Sequence, residues 1–109
     1  MPPTEALPSR LLGVADRIPA SLGLLAGPDQ GRVSLPVRLA WSGPAEFDVS
    51  DARQRLTLYR TLMDCGQRDD IVRYVNADLL RRDWPRICRL TARRLTRLWE
   101  RKLPDLAAR

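Results

Sequence analysis

Histidine is absent from the 109-residue chain, and with it go imidazole general bases, Ser-His and Cys-His nucleophilic pairs and histidine-ligated metals. Most of the usual equipment of an enzyme is missing, so the sequence predicts a protein with no catalytic residues, no metal and no cofactor. Cysteine is nearly absent: Cys65 and Cys88 stand alone, 23 positions apart. No Cys-x-x-Cys redox or zinc spacing exists, and the two thiols are expected to act as small apolar groups, with a disulfide neither required nor excluded. Long apolar runs are lacking too, none approaching the roughly 18 residues of a membrane span. Leu22 to Ala26 is interrupted by Gly23 and is too short for the apolar part of a secretion signal, which leaves the cytoplasm as the default location. Lysine is almost missing, since of 19 basic residues only Lys102 is one. A GC-rich genome produces the same bias, but arginine also brings a planar fork suited to carboxylate and phosphate.

Carboxylates do not gather into a recognisable site. Asp69 and Asp70 are adjacent, and helical neighbours point about 100° apart. Neither a calcium loop nor a glycosidase pair is present, so both read as first-turn acids at a helix N-terminus. Gly23, Gly27 and Gly31 recur four apart, but they lie among prolines, with no strand before them and no Lys-Ser/Thr after. No internal repeat is present.

What the chain does have is length for one small domain and a lopsided charge. Residues 1–50 carry four arginines against five acids, residues 51–80 five against five, and residues 81–109 ten basic groups against three. The net charge of +6 therefore comes from the last segment. That asymmetry suggests a polyanion, an anionic membrane surface or an acidic protein as partner for the C-terminal end.

Residues 1–32 hold five of the nine prolines and four of the six glycines. They read as an arm, flexible or lightly structured, with a short helix capped by Ser9, carrying Leu11, Leu12, Val14, Ala15 and Ile18, and stopped by Pro19. Residues 33–109 read as a single small helical domain. Val33, Leu35, Val37, Leu39 and Trp41 alternate as in a strand, with a break at Ser42-Gly43-Pro44 and a second extended piece at Glu46 to Val49. Pro36 makes the first strand an edge. A lone hairpin is marginal in water, so it must lean on the following helices or on a second copy of the chain.

A helix is expected from Ser50 or Asp51, burying Ala52, Leu56, Tyr59, Leu62 and Met63 and closed by Gly66 in the left-handed conformation. A second covers about 69–75. A third starts at Asn76, buries Leu79, Leu80 and Trp84, and ends before Pro85, leaving Arg86 to Leu90 as a connector. Thr91 caps the last, which runs to near Pro104. The expected fold is thus mainly α (α+β), a compact four-helix cluster after a short hairpin-like segment.

In the last helix Ala92, Leu95, Leu98, Trp99 and Leu103 share one arc, while Arg93, Arg94, Arg97 and Arg101 share the opposite one. These four arginines are the candidate partner-binding residues. Three readings stay open for them: a solvated face, contact with an acidic protein, or contact with nucleic acid. Membrane adsorption is disfavoured because the core needs the apolar arc. A helix-turn-helix over residues 69–103 fits poorly, because the helix stopped by Pro85 is short and the strongest basic face comes one element later than that motif requires. Trp41, Trp84 and Trp99 read as core anchors; an outward Trp99 would instead be a stacking platform.

Several stretches carry a resemblance: Leu35-Pro36-Val37-Arg38-Leu39-Ala40-Trp41-Ser42-Gly43, Phe47-Asp48-Val49-Ser50-Asp51 leading into Arg55-Leu56-Thr57-Leu58-Tyr59, Ile71-Val72-Arg73-Tyr74-Val75, Leu79-Leu80, Trp84-Pro85 and Leu98-Trp99-Glu100. Together they resemble small actinobacterial proteins often encoded beside nucleotidyltransferase-like toxins of the AbiEii type. The likeness covers about two thirds of the chain, and residues 1–32 have no counterpart. Thr91 stands where the family pattern has a proline, and both residues start helices. The resemblance implies an antitoxin that binds and neutralises a toxin which modifies RNA by nucleotide transfer, with repression of its own operon as a common accompaniment. The alternative is a DNA-binding transcriptional regulator that uses the basic C-terminal helix.

Overall fold

A computed structural model describes residues 13–40 and 43–107. The protein is mainly helical with one small antiparallel sheet. In order, the elements are α1 (Val14–Arg17), β1 (Arg32–Ser34), α2 (Val37–Ala40), β2 (Glu46–Asp48), α3 (Ala52–Cys65), α4 (Arg68–Tyr74), α5 (Ala77–Leu90) and α6 (Arg93–Lys102). Single 3-10 turns at Leu22–Leu24 and Pro104–Leu106 complete them. No described helix is long and apolar enough to cross a membrane.

The central element is α3. Asp51 caps it by accepting the Arg53 N–H at 2.8 Å and, more weakly, that of Gln54 at 3.4 Å, bonds that hold its carboxyl below the usual aspartate range. Its inward face is Arg55, Leu58, Tyr59, Leu62 and Met63, the i, i+3, i+4, i+7 spacing of a buried stripe. This face is rotated from the expected one, because Leu56 and Ala52 are only half-buried while Arg55 and Leu58 lie inside. The reason is a buried counter-ion. Arg55 Nε and Nη2 donate to the Asp83 carboxylate of α5 at 2.6 and 2.9 Å, and Nη1 donates to the Val49 carbonyl at 2.9 Å. Each side chain is at most 7% exposed. One residue thus ties α3 to α5 and to the end of β2, and Asp83 holds the guanidinium firmly charged.

Gly66 closes α3 as anticipated, but with φ −75° rather than in the left-handed region. A methyl group there would sit 2.7 Å from the Leu62 carbonyl oxygen, so close backbone approach selects the glycine. Two-residue connectors then separate α4, α5 and α6. Asn76 caps α5 by accepting the Leu79 N–H at 3.1 Å, as the sequence suggests.

Four other expectations change. First, β1 stops at Ser34, and Pro36 opens the single turn of α2, its carbonyl accepting the Leu39 and Ala40 N–H groups. Proline cannot donate to a strand ladder, but its fixed φ suits a helix start. Val37 is therefore 84% exposed while Leu35 and Leu39 are buried. Val33 pairs with Phe47 across the sheet; Trp41 lies outside the described residues. Second, α5 does not end at Pro85 but runs through it to Leu90. The proline is exposed, and buried Trp84 and Ile87 on either side hold the helix against the core. Third, Cys65 is exposed, although Cys88 is half-buried as expected of a small apolar group.

Fourth, the described part of the Pro/Gly-rich segment is not an arm. Val14, Ile18 and Leu22 are 2%, 1% and 8% exposed and belong to the core. The Ala26 and Gly27 N–H groups donate to the Val72 and Val75 carbonyls. Asn76 Nδ2 donates to the Gly27 carbonyl, and the Arg68 guanidinium to that of Asp16. A Cβ on Gly27 would stand 2.3 Å from the Tyr74 carbonyl carbon, so glycine permits this backbone-on-backbone docking. Prolines there block long helices but not burial. The short helix is realised as α1; Ser9, Leu11 and Leu12 lie outside the described residues.

A second charged tie joins Arg38 of α2 to Asp70 of α4, bidentate at 2.8 and 2.5 Å. Arg38 holds the Asp70 carboxyl below its usual range. That carboxylate also accepts the Gln67 N–H at 2.9 Å, so Asp70 is the first-turn acid the sequence called for, with an added partner.

Asp83→Ala leaves a buried guanidinium unpaired and should destabilise the protein by about 3–5 kcal/mol in urea unfolding. Arg55→Met combined with Asp83→Leu removes both charges and should recover most of that loss. A double variant as unstable as the single one would show that the pair is not the tie described.

Candidate functional site

The site is built on α6, the helix with the most strongly divided faces. Leu95, Thr96 and Trp99 are buried, Leu98 is half-buried, and Leu103 follows at 2% exposure. Ala92 is exposed, so the apolar arc is narrower at its start than its periodicity implies. Arg93, Arg94, Arg97 and Arg101 are all exposed. The structure brings the four onto one solvent face, and no carboxylate of the described residues forms an ion pair with any of them.

The start of α6 breaks the ordinary rules of helix stability. Thr91 does not cap it. The N-cap is Ala92, whose side chain makes no cap bond, and the first turn holds no acidic residue. Arg93 and Arg94 occupy that turn, where the positive end of the helix dipole repels cations. The Thr91 hydroxyl is instead buried without a hydrogen-bond partner among the described residues. At the other end Arg101 and Lys102 sit in the last turn, the favourable place for positive charge.

The Trp84–Trp99 contact fixes the position of α6 relative to α5, with ring centroids 6.4 Å apart and planes tilted by 39°. Trp84 Nε1 donates to the Glu100 carboxylate at 2.8 Å. Both tryptophans are core anchors, at 3% and 1% exposure, which removes the stacking-platform reading for this pair. Arg93 and Arg97 line an open groove of about 330 Å³ with Cys88, Thr96 and Glu100. Burial pushes the Cys88 thiol upward, away from the reactive thiolate.

Sequence reasoning overlooked the inward turn of the acids. Asp83 and Glu100 are the two acidic residues within α5 and α6 beyond the first turn; one pairs with Arg55 and the other accepts from Trp84. The signal was present for Asp83, which sits at the same helical phase as Leu79, Leu80 and Ile87. Nor did it count Arg82, Arg86 and Arg89 as part of a helical face, because it ended that helix at Pro85. All three are exposed on α5. The continuous α5 also removes one of the two reasons for setting aside a helix-turn-helix, the shortness of that helix. However, connectors of two residues on either side of it do not make that motif's three- to four-residue turn.

No group of three or more potential metal ligands gathers among the described residues. The exposed arginine face can attract and orient an anion. Comparison with protein-family models, with curated proteins and with solved structures gives no match to this chain.

Replacing Arg93, Arg94, Arg97 and Arg101 one at a time with Gln should change stability by no more than about 0.5 kcal/mol each, as for unpaired surface groups. Trp99→Ala on the opposite face should cost about 3–5 kcal/mol. Thermal unfolding of the five variants checks the division of α6 into a structural and a free face.

Proposed function

We propose that this protein is an antitoxin-like binding protein that neutralises a nucleotidyltransferase-type toxin by setting the arginine face of α6 against an anionic site on it. The observation that carries the reading is the opening turn of α6. Arg93 and Arg94 stand at an uncapped helix N-terminus with no acid beside them, an arrangement that opposes the helix dipole and is relieved when an anion binds. The opposite face of the helix is locked in the core, so the arginines are presented on a rigid support and little ordering is required on association.

The toxin as source of the anion is supported by the resemblance of the stretches between Leu35 and Glu100. Enzymes that transfer nucleotides hold divalent metals with clustered carboxylates, and an arginine-bearing helix is complementary to such a groove. A protein inhibitor acting by occupation needs no catalytic group of its own.

Coexpression with a nucleotidyltransferase-type toxin encoded by an adjacent gene provides the test. The wild-type chain should restore growth and co-purify with the toxin. Arg94, Arg97 and Arg101 replaced together by Glu should abolish both while leaving the circular dichroism of the chain unchanged. Growth not restored by the wild type, or restored equally by the variant, would end this reading.

A further inference from the structure

The exposed arginines of this protein are not confined to α6. Because α5 continues through Pro85, Arg82, Arg86 and Arg89 recur at i, i+4 and i+7 on its outer face, a row about 10 Å long at 1.5 Å per residue. All three are exposed, as is Arg81. Arg94, Arg97 and Arg101 form a row of the same length on α6. With Arg93 and Lys102, nine cationic side chains lie exposed along residues 81–102.

No exposed carboxylate interrupts them. The two acids of this stretch are Asp83, 5% exposed and bonded to Arg55, and Glu100, which is half-buried and accepts from Trp84 Nε1. The nearest exposed acids, Asp78 and Asp105, lie outside the stretch. An ordinary solvated helix mixes charges of both signs at i, i+4 spacing; here the fold has turned the compensating acids inward.

The α5 row, which the toxin reading leaves unused, also lacks what a protein interface has at its centre. Such interfaces have a core depleted of charge and enriched in aromatic residues. Here both tryptophans point into the fold, and Leu90, half exposed at the end of α5, is the lone large apolar group on show along residues 81–102. Interfaces with nucleic acid are more polar and far more positive.

We propose that the arginine rows of α5 and α6 together bind the phosphodiester backbone of a nucleic acid without reading its sequence. Guanidinium forks pair with phosphate oxygens, and the gain comes from counter-ions released by each neutralised phosphate. It goes beyond the toxin reading, which uses α6 alone: the two share the α6 arginines, and the row on α5 belongs to the nucleic-acid surface only.

The test is fluorescence anisotropy of the full-length chain with a labelled 20-base-pair DNA duplex, an RNA duplex and a single-stranded RNA, each in two unrelated sequences, from 50 to 200 mM salt. Binding should be insensitive to sequence and weaken steeply with salt; comparing the three nucleic acids distinguishes the source of the phosphate. Arg82, Arg86 and Arg89 replaced together by Gln should remove three phosphate contacts. The wild type would then lose about 40-fold more affinity than this variant over the same salt range, at about 3.5-fold per contact. Replacing Arg32, Arg53 and Arg73, exposed elsewhere, removes the same charge and should leave the salt dependence unchanged. Equal effects of the two triple variants, no binding at 50 mM salt, or equally tight binding of poly-glutamate would overturn the proposal, the last assigning the surface to an acidic protein instead. The poly-glutamate comparison and the salt dependence need only the wild-type chain and stand even if a variant fails to fold.

Discussion

The buried pair of Arg55 and Asp83 is the constraint on which the rest of this fold depends. Through it α3, which packs on α2, β2, α4 and α5, is tied to α5 and to the carbonyl that follows β2. Two buried charges are costly to desolvate, and the pair withstands this because the guanidinium has three well-aligned acceptor contacts and the carboxylate two donors. The geometry of one pair sets the rotation of both helices. With Asp83 turned toward α3, the arginines on the other side of α5 are turned to solvent.

Glu100 completes the pattern. Its carboxylate is used to satisfy the Trp84 indole, and the packing of Trp84 on Trp99 then fixes where α6 lies. Interior polar bonds therefore consume Asp83 and Glu100, and the exposed charges of residues 81–102 are left with one sign. Fold and surface are one design: the same bonds that hold the helices also remove the neutralising groups from outside.

Much of this could be read from the residues before the structure. Asp51, Asn76 and the apolar spacing of Tyr59, Leu62 and Met63 and of Leu79, Leu80 and Trp84 define helices because capping and periodicity are local. The division of α6 into Leu95 and Trp99 on one side and four arginines on the other follows from spacing alone. What failed were judgements that require tertiary context. Pro85 was read as a stop, although an exposed proline flanked by two buried anchors can be carried within a helix. Val33 to Leu39 alternates like a strand, yet Pro36 converts its second half to a helical turn. The segment from Gly13 to Arg32 looked like a tail because prolines and glycines dominate it, whereas Val14, Ile18 and Leu22 place it in the core and Gly27 lets it approach α4. Arg55 and Asp83 were charges at buried phases on two helices, a combination that itself signals an internal pair.

The central claim is that the cationic surface of α5 and α6 is left uncompensated by the fold. The most direct measurement is the unfolding midpoint of the isolated protein as sodium chloride rises from about 10 to 150 mM, over which the screening length falls from about 30 to 8 Å. Unpaired like charges repel, so screening should raise the midpoint steadily. A midpoint that stays level or falls would mean that the arginines are already neutralised within the protein and would contradict the account.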